Sequence, residues 1–196
     1  MEEIEVLSCD PRQVAPGMLL LSFPCDQEQT YRRAALLVVE HSDQGSVALQ
    51  IHAPTTTAVA QEFPQWSEWV ASPSVIFTGG KEARSTAHML VFTKIGVDLE
   101  NHQYLHRIAN RIGYVRLPVQ PTDVQDAMRV GRIYTGCTMW EPGALEAEIA
   151  ADRWLLAPCL PQDIFNSTDV WGDALRRQQG LLALFSTHPG CLVDWN

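Results

Sequence analysis

The apolar residues of this chain come in runs of about six, each stopped by a glycine, a proline or a short polar turn, and this punctuation prescribes a sheet. Met18 to Phe23 ends at Pro24, Ala34 to Val39 gives way to Glu40-His41, and Ser46 to Ile51 follows Ser42-Asp43-Gln44-Gly45. Such runs are too short for core helices but suit buried strands. Ser42 to Gly45 reads as a hairpin loop, so Glu40 and His41 end one strand and His52 ends the next. Val75 to Thr78 runs into Gly79-Gly80, and Met89 to Phe92, Ile112 to Leu117, Arg132 to Thr135 and Trp154 to Ala157 read as further strands.

The predicted helices are short. One or two fall within Thr55 to Val70 with a break at Pro64, and another runs from Thr122 to about Val130. A third opens at Pro142 with Leu145 and Ile149 on one side, and a closing helix spans Thr168 to Gln179 with Gly180 as its stop. Trp66, Trp69 and Val70 have the spacing of core residues. Strands and helices do not alternate regularly, which predicts an α+β fold with a mixed or largely antiparallel sheet. The boundaries expected are a flexible segment at 1–16, one domain at 17–180 and a tail at 181–196.

Charge narrows the partners. The 196 residues carry a net charge of −9, which repels phosphate backbones and anionic lipid, so neither nucleic acid nor a membrane is an expected partner. Arg32-Arg33, Arg176-Arg177 and the Arg107/Arg111 pair read as solvated faces. Five widely spaced cysteines without Cys-x-x-Cys suggest neither a disulfide framework nor a zinc site, and point to the cytoplasm. The acidic start MEEIEVLSCD lacks a secretory pattern.

Chemistry concentrates in Gly136 to Trp154. Cys137 is expected at a helix N-terminus, which would lower its pKa. Glu146 suits the positive end of a helix dipole, and Glu146 and Glu148 diverge too far to act as a dyad. Trp140 to Glu148 therefore reads as a structural corner that can also frame a pocket. His102 and His106 are spaced as one helix face and read as an exposed polar pair; no metal or cofactor is expected there. Gly79-Gly80 reads as a tight turn, since a phosphate loop's Gly-Lys-Ser/Thr is absent.

Taken together, the motifs resemble the YqgE/AlgH family of bacterial proteins. Gly17-Met-Leu-Leu-Leu resembles its opening strand, and the run from Tyr31-Arg32-Arg33 to Glu40-His41 its second. Phe77-Thr78-Gly79-Gly80 resembles its aromatic-x-Gly-Gly turn, and Gly136 to Glu148, with Trp140, Pro142-Gly143 and Leu145-Glu146, its Gly-x-x-x-Trp-x-Pro-Gly-Gln-Leu-Glu signature. The chain departs from the family at His52-Ala53-Pro54 (Asn-Arg-Pro in the family), at Lys81-Glu82 after the glycine turn, and at Ala144 in place of Gln. The resemblance implies a compact α+β domain whose bent sheet forms a pseudo-barrel, and leaves the function open.

The reading that follows is a non-enzymatic, cytoplasmic binding or regulatory module meeting an unknown protein or small ligand. Its candidate contacts are His41, His52, Gly79, Gly80, Trp140, Gly143 and Glu146. One alternative is an enzyme with a site near His41, His52 and the Gly79-Gly80 turn, where imidazoles would serve acid-base work. Another is a transcriptional regulator, which the charge disfavours. The oligomeric state is not legible.

Overall fold

A computed structural model describes residues 10–23, 33–178 and 181–187. The readings that rest on Tyr31, Arg32, Gly180, Cys9, Cys25 and Cys191 fall outside this set. Ten strands are present: β1 (Met18–Ser22), β2 (Ala35–Ser42), β3 (Gly45–Gln50), β4 (Pro54–Ala58), β5 (Val75–Thr78), β6 (Glu82–Thr93), β7 (His106–Ala109), β8 (Ile112–Arg116), β9 (Met128–Trp140) and β10 (Trp154–Pro158). Six short α-helices join them: α1 (Val59–Glu62), α2 (Pro121–Val124), α3 (Ala144–Ala150), α4 (Pro161–Phe165), α5 (Val170–Arg176) and α6 (Leu181–Phe185).

The strands form one sheet in the order β10-β1-β2-β3-β9-β6-β8-β7, with β4 and β5 attached beside β9. All pairings are antiparallel except β5 with β9, so the fold is α+β with a mixed sheet. The end strands β10 and β7 are not paired with each other, and the expected barrel is an open curl rather than a closed ring. The curl is deep, however. The start of β1 lies against β7, where a Cβ on Gly17 would sit 2.4 Å from the carbonyl oxygen of Ile108.

This architecture explains the continuous apolar runs. Alternate residues of β1 and β2 enter different cores, so neither face can be polar. Leu19, Leu21, Leu37 and Val39 face the inside of the curl with Leu90, Tyr114, Tyr134 and Trp171. Leu20, Leu36 and Val38 face outward beneath α3, against Leu145, Ile149 and Val14. A third cluster, around Trp66, Met89, Val91 and Ile133, covers the outer side of β6 and β9.

Several sequence expectations change. Thr55 to Ala58 lie in a strand, and helix begins only at Val59; three consecutive β-branched residues favour the pleat. The helix expected from Thr122 to Val130 stops at Val124, and Met128 begins β9. That strand absorbs Gly136 to Trp140, because Gly136 takes φ 72° and bends it without ending it. His102 and His106 share no helix: His102 sits in a turn where its Nδ1 accepts from the N–H groups of Tyr104 and Leu105, at 3.2 and 3.1 Å, and His106 opens β7. Nor are all the arginines merely solvated, since Arg177 makes two 2.7 Å hydrogen bonds to the buried carboxylate of Asp163. The N-terminal segment contains a 3-10 turn at Pro11–Gln13 and buries Val14.

Candidate functional site

Most candidate residues meet where β2 ends, β3 begins and β9 ends. Register aligns His41 with Ser46 and Ser46 with Trp140 in one row, and Glu40 with Val47 and Val47 with Met139 in the next. Residues paired across a ladder project to the same face and successive rows to opposite faces. His41, Ser46 and Trp140 therefore face α3, while Glu40, Val47 and Met139 face the mouth of the curl.

On the α3 side, His41 Nδ1 is 2.8 Å from Ser46 Oγ and its Nε2 is 3.8 Å from Glu146 Oε1. Beside them, the indole N–H groups of Trp140 and Trp154 both donate to Glu148 Oε2, at 3.0 and 2.7 Å. The two indoles meet edge to face with centroids 6.3 Å apart. Sequence reading takes Glu148 only as diverging from Glu146 and misses its indole partners, which lie eight residues before and six after it. Helix α3 begins at Ala144, two residues later than its proline suggests, after Gly143 in the left-handed region at φ 78°. Replacing Glu148 with alanine strands two indole donors, one of them on the buried Trp154, and should cost about 2–4 kcal/mol; glutamine should cost about half as much. Urea unfolding followed by tryptophan fluorescence measures both.

On the mouth side a chain of polar groups runs inward. Arg116 donates through one nitrogen to both oxygens of Glu40, at 2.6 and 2.7 Å, and through Nε to the Tyr114 hydroxyl at 3.2 Å. That hydroxyl lies 2.8 Å from His88 Nδ1. With the phenol oxygen accepting from Arg116, its own proton is available to Nδ1, which places the imidazole proton on Nε2. Nε2 is buried and meets no partner among the described residues. Burial, and secondarily the Arg116 charge, lowers the His88 pKa to about 4, and burial pushes Tyr114 up to about 12. The period-two pair Tyr114/Arg116 was the available sequence signal for this network.

The remaining candidates lie elsewhere. His52 follows β3, and a hairpin puts the end of its second strand opposite the start of its first. His41 and His52 are therefore about 20 Å apart along the strands and do not form a pair. Gly79 and Gly80 are buried and packed on β9: Gly79 N–H donates to the Thr135 carbonyl at 2.8 Å, and a Cβ on Gly80 would lie 2.1 Å from the Cys137 carbonyl. Cys137 is in β9, not at a helix start, and burial raises its thiol pKa rather than lowering it.

A sequence profile described as AlgH-like matches residues 19–183. A UPF0301 protein of Corynebacterium efficiens is 37% identical over 179 residues, covering 90% of this chain and 89% of the relative. The chain belongs to the AlgH-like family. A UPF0301 protein of Mycobacterium tuberculosis is also 37% identical, over 91% of this chain and 89% of its own. Among solved structures, protein DIP2367 of Corynebacterium diphtheriae superposes with a TM-score of 0.83 at 32% identity, covering 95% of both chains. AlgH of Pseudomonas aeruginosa shares the fold at a TM-score of 0.64 and 19% identity, covering 97% of this chain and 99% of its own. The AlgH-like fold therefore holds this sequence from end to end of the match. Among the described residues no helix is long and apolar enough to cross a membrane.

Proposed function

We propose that this AlgH-like chain is a non-enzymatic binding module of the cytoplasm that docks a protein partner on the rim formed by the ends of β2 and β9. The observation that carries the reading is Met139, which is 55% exposed at the edge of an otherwise closed core. It shares its face with partly buried Val47 and with the Glu40–Arg116 ion pair. A flexible thioether framed by satisfied charges has the chemistry of a small interface centre with a polar rim. Glu141, Pro142 and Gly143 are exposed beside it and extend the surface. The enzyme alternative loses support because its two imidazoles stand at opposite ends of the hairpin.

Placing a photo-crosslinking residue at Glu141 in the native host should capture a defined partner. Met139→Glu should abolish the capture at unchanged melting temperature, and Ile95→Glu, at a still more exposed apolar site elsewhere, should not. Undiminished capture by the Met139→Glu variant would remove the rim from consideration.

A further inference from the structure

A second site lies away from this rim, on the outer face of the sheet where β6 parts from β9. The ladder pairs Glu82 with Cys137 and then Ala87 with Thr135, so Ala83 to Thr86 bulge out against Gly136 alone. The bulge holds Ala83 at φ 45°, a left-handed conformation that alanine rarely adopts. It opens a cavity of about 340 Å³ between the bulge and the end of α1.

The walls of this cavity carry opposite charges that do not meet. Arg84 stands on the bulge side, where its Nε donates to the Lys81 carbonyl at 3.2 Å, and no carboxylate among the described residues pairs with it. Glu62 stands on the α1 side and likewise has no cationic partner among the described residues. Between them lie the side-chain hydroxyls of Thr57, Ser85 and Thr135, none engaged in a hydrogen bond among the described residues. Phe63 and the buried Ile76 add an apolar wall. Other charges on this chain are satisfied by an opposite charge, as in Arg116–Glu40 and Arg177–Asp163.

We infer that this cavity binds a small zwitterion with an apolar side group, a free α-amino acid. Its carboxylate meets Arg84, its ammonium meets Glu62, and its side chain rests on Phe63 and Ile76. A guanidinium matches a carboxylate through paired donors, and the hydroxyls supply the orienting contacts that such pockets use.

The test is amide-resolved NMR titration of the full chain with L-leucine and L-phenylalanine, alongside leucinamide, which lacks the carboxylate, and 4-methylpentanoate, which lacks the ammonium. At least one amino acid should give saturable shifts at Thr57, Ser85 and Thr135 with a Kd of about 1 mM or tighter, and each single-charge analogue should bind about tenfold more weakly. Arg84→Gln should make leucine no better than leucinamide, and Glu62→Gln should make it no better than 4-methylpentanoate. Both side chains are exposed, so the fold survives either change. Absence of saturable shifts at about 10 mM ligand, or analogues that bind as tightly as the amino acid, overturns the assignment.

Discussion

Gly80→Ala is expected to cost about 3 kcal/mol or more and to leave little folded protein. The added methyl would lie 2.1 Å from both the carbonyl carbon and oxygen of Cys137 and 2.5 Å from the Thr138 nitrogen. These are backbone atoms of a strand held on both sides, so no side chain can swing away to make room. Gly143→Ala is the control. Nothing lies within 4 Å of a Cβ there, and only the left-handed φ of 78° opposes it, at about 1–2 kcal/mol. Yield and denaturant midpoints of the two variants separate crowding from conformational strain; equal losses would show that the contact between the glycine turn and β9 is softer than its geometry.

The second large effect is an acid limb of stability set by His88. Its folded pKa of about 4 lies below the ordinary histidine value of 6.5. Between those values the unfolded chain takes up a proton that the native imidazole refuses. Stability therefore rises with pH through this window, is complete above about 6.5, and is lost as pH falls toward 4. The full change is roughly 2–4 kcal/mol. Tyr114 and Arg116 are the groups facing the ring: one binds Nδ1, and the other repels the charged form. Urea midpoints measured from pH 4 to 7 should climb in the wild type, and His88→Phe should flatten the climb while carboxylate contributions remain common to both. Parallel curves would assign the acid limb to other residues.

The strands most legible in the sequence were those buried on both faces. β1, β3, β5, β8 and β10 each begin and end within about two residues of the apolar runs that announce them, and β2 runs three residues past its own. β6 was legible only in its second half, because Ala83 to Thr86 leave the ladder and Glu82 to Ser85 are exposed, so they carry no apolar signal. β9 was broken in two by Gly136, since a glycine inside a strand and a glycine after one look alike until the partner strands are known. Short α4 was not foreseen, and its start depends on the Asp163 carboxylate accepting the Leu160 N–H at 2.8 Å, a local bond that only the fold exposes.

The candidate site was half legible for the same reason. His41, Trp140 and Glu146 do come together, because hairpin register and the Pro-Gly corner fix them locally. Arg116 and His88 enter through contacts between strands distant in sequence, and Glu148 through the way α3 folds back between Trp140 and Trp154. His52 was wrongly grouped with His41 because strand ends were matched without following the direction of the hairpin.

The place of β9 in the chain also has a consequence for biosynthesis. β3, β5 and β6 all find a partner in residues 128–140, and β1 completes its pairing only with residues 154–158. On the ribosome those earlier strands emerge first and can pair only among themselves, each of β3, β5 and β6 keeping an open edge until β9 follows. Folding must wait for the last third of the polypeptide, as expected where most pairings are distant in sequence. A message cut short before Met128 would release a fragment with open strand edges rather than a smaller domain.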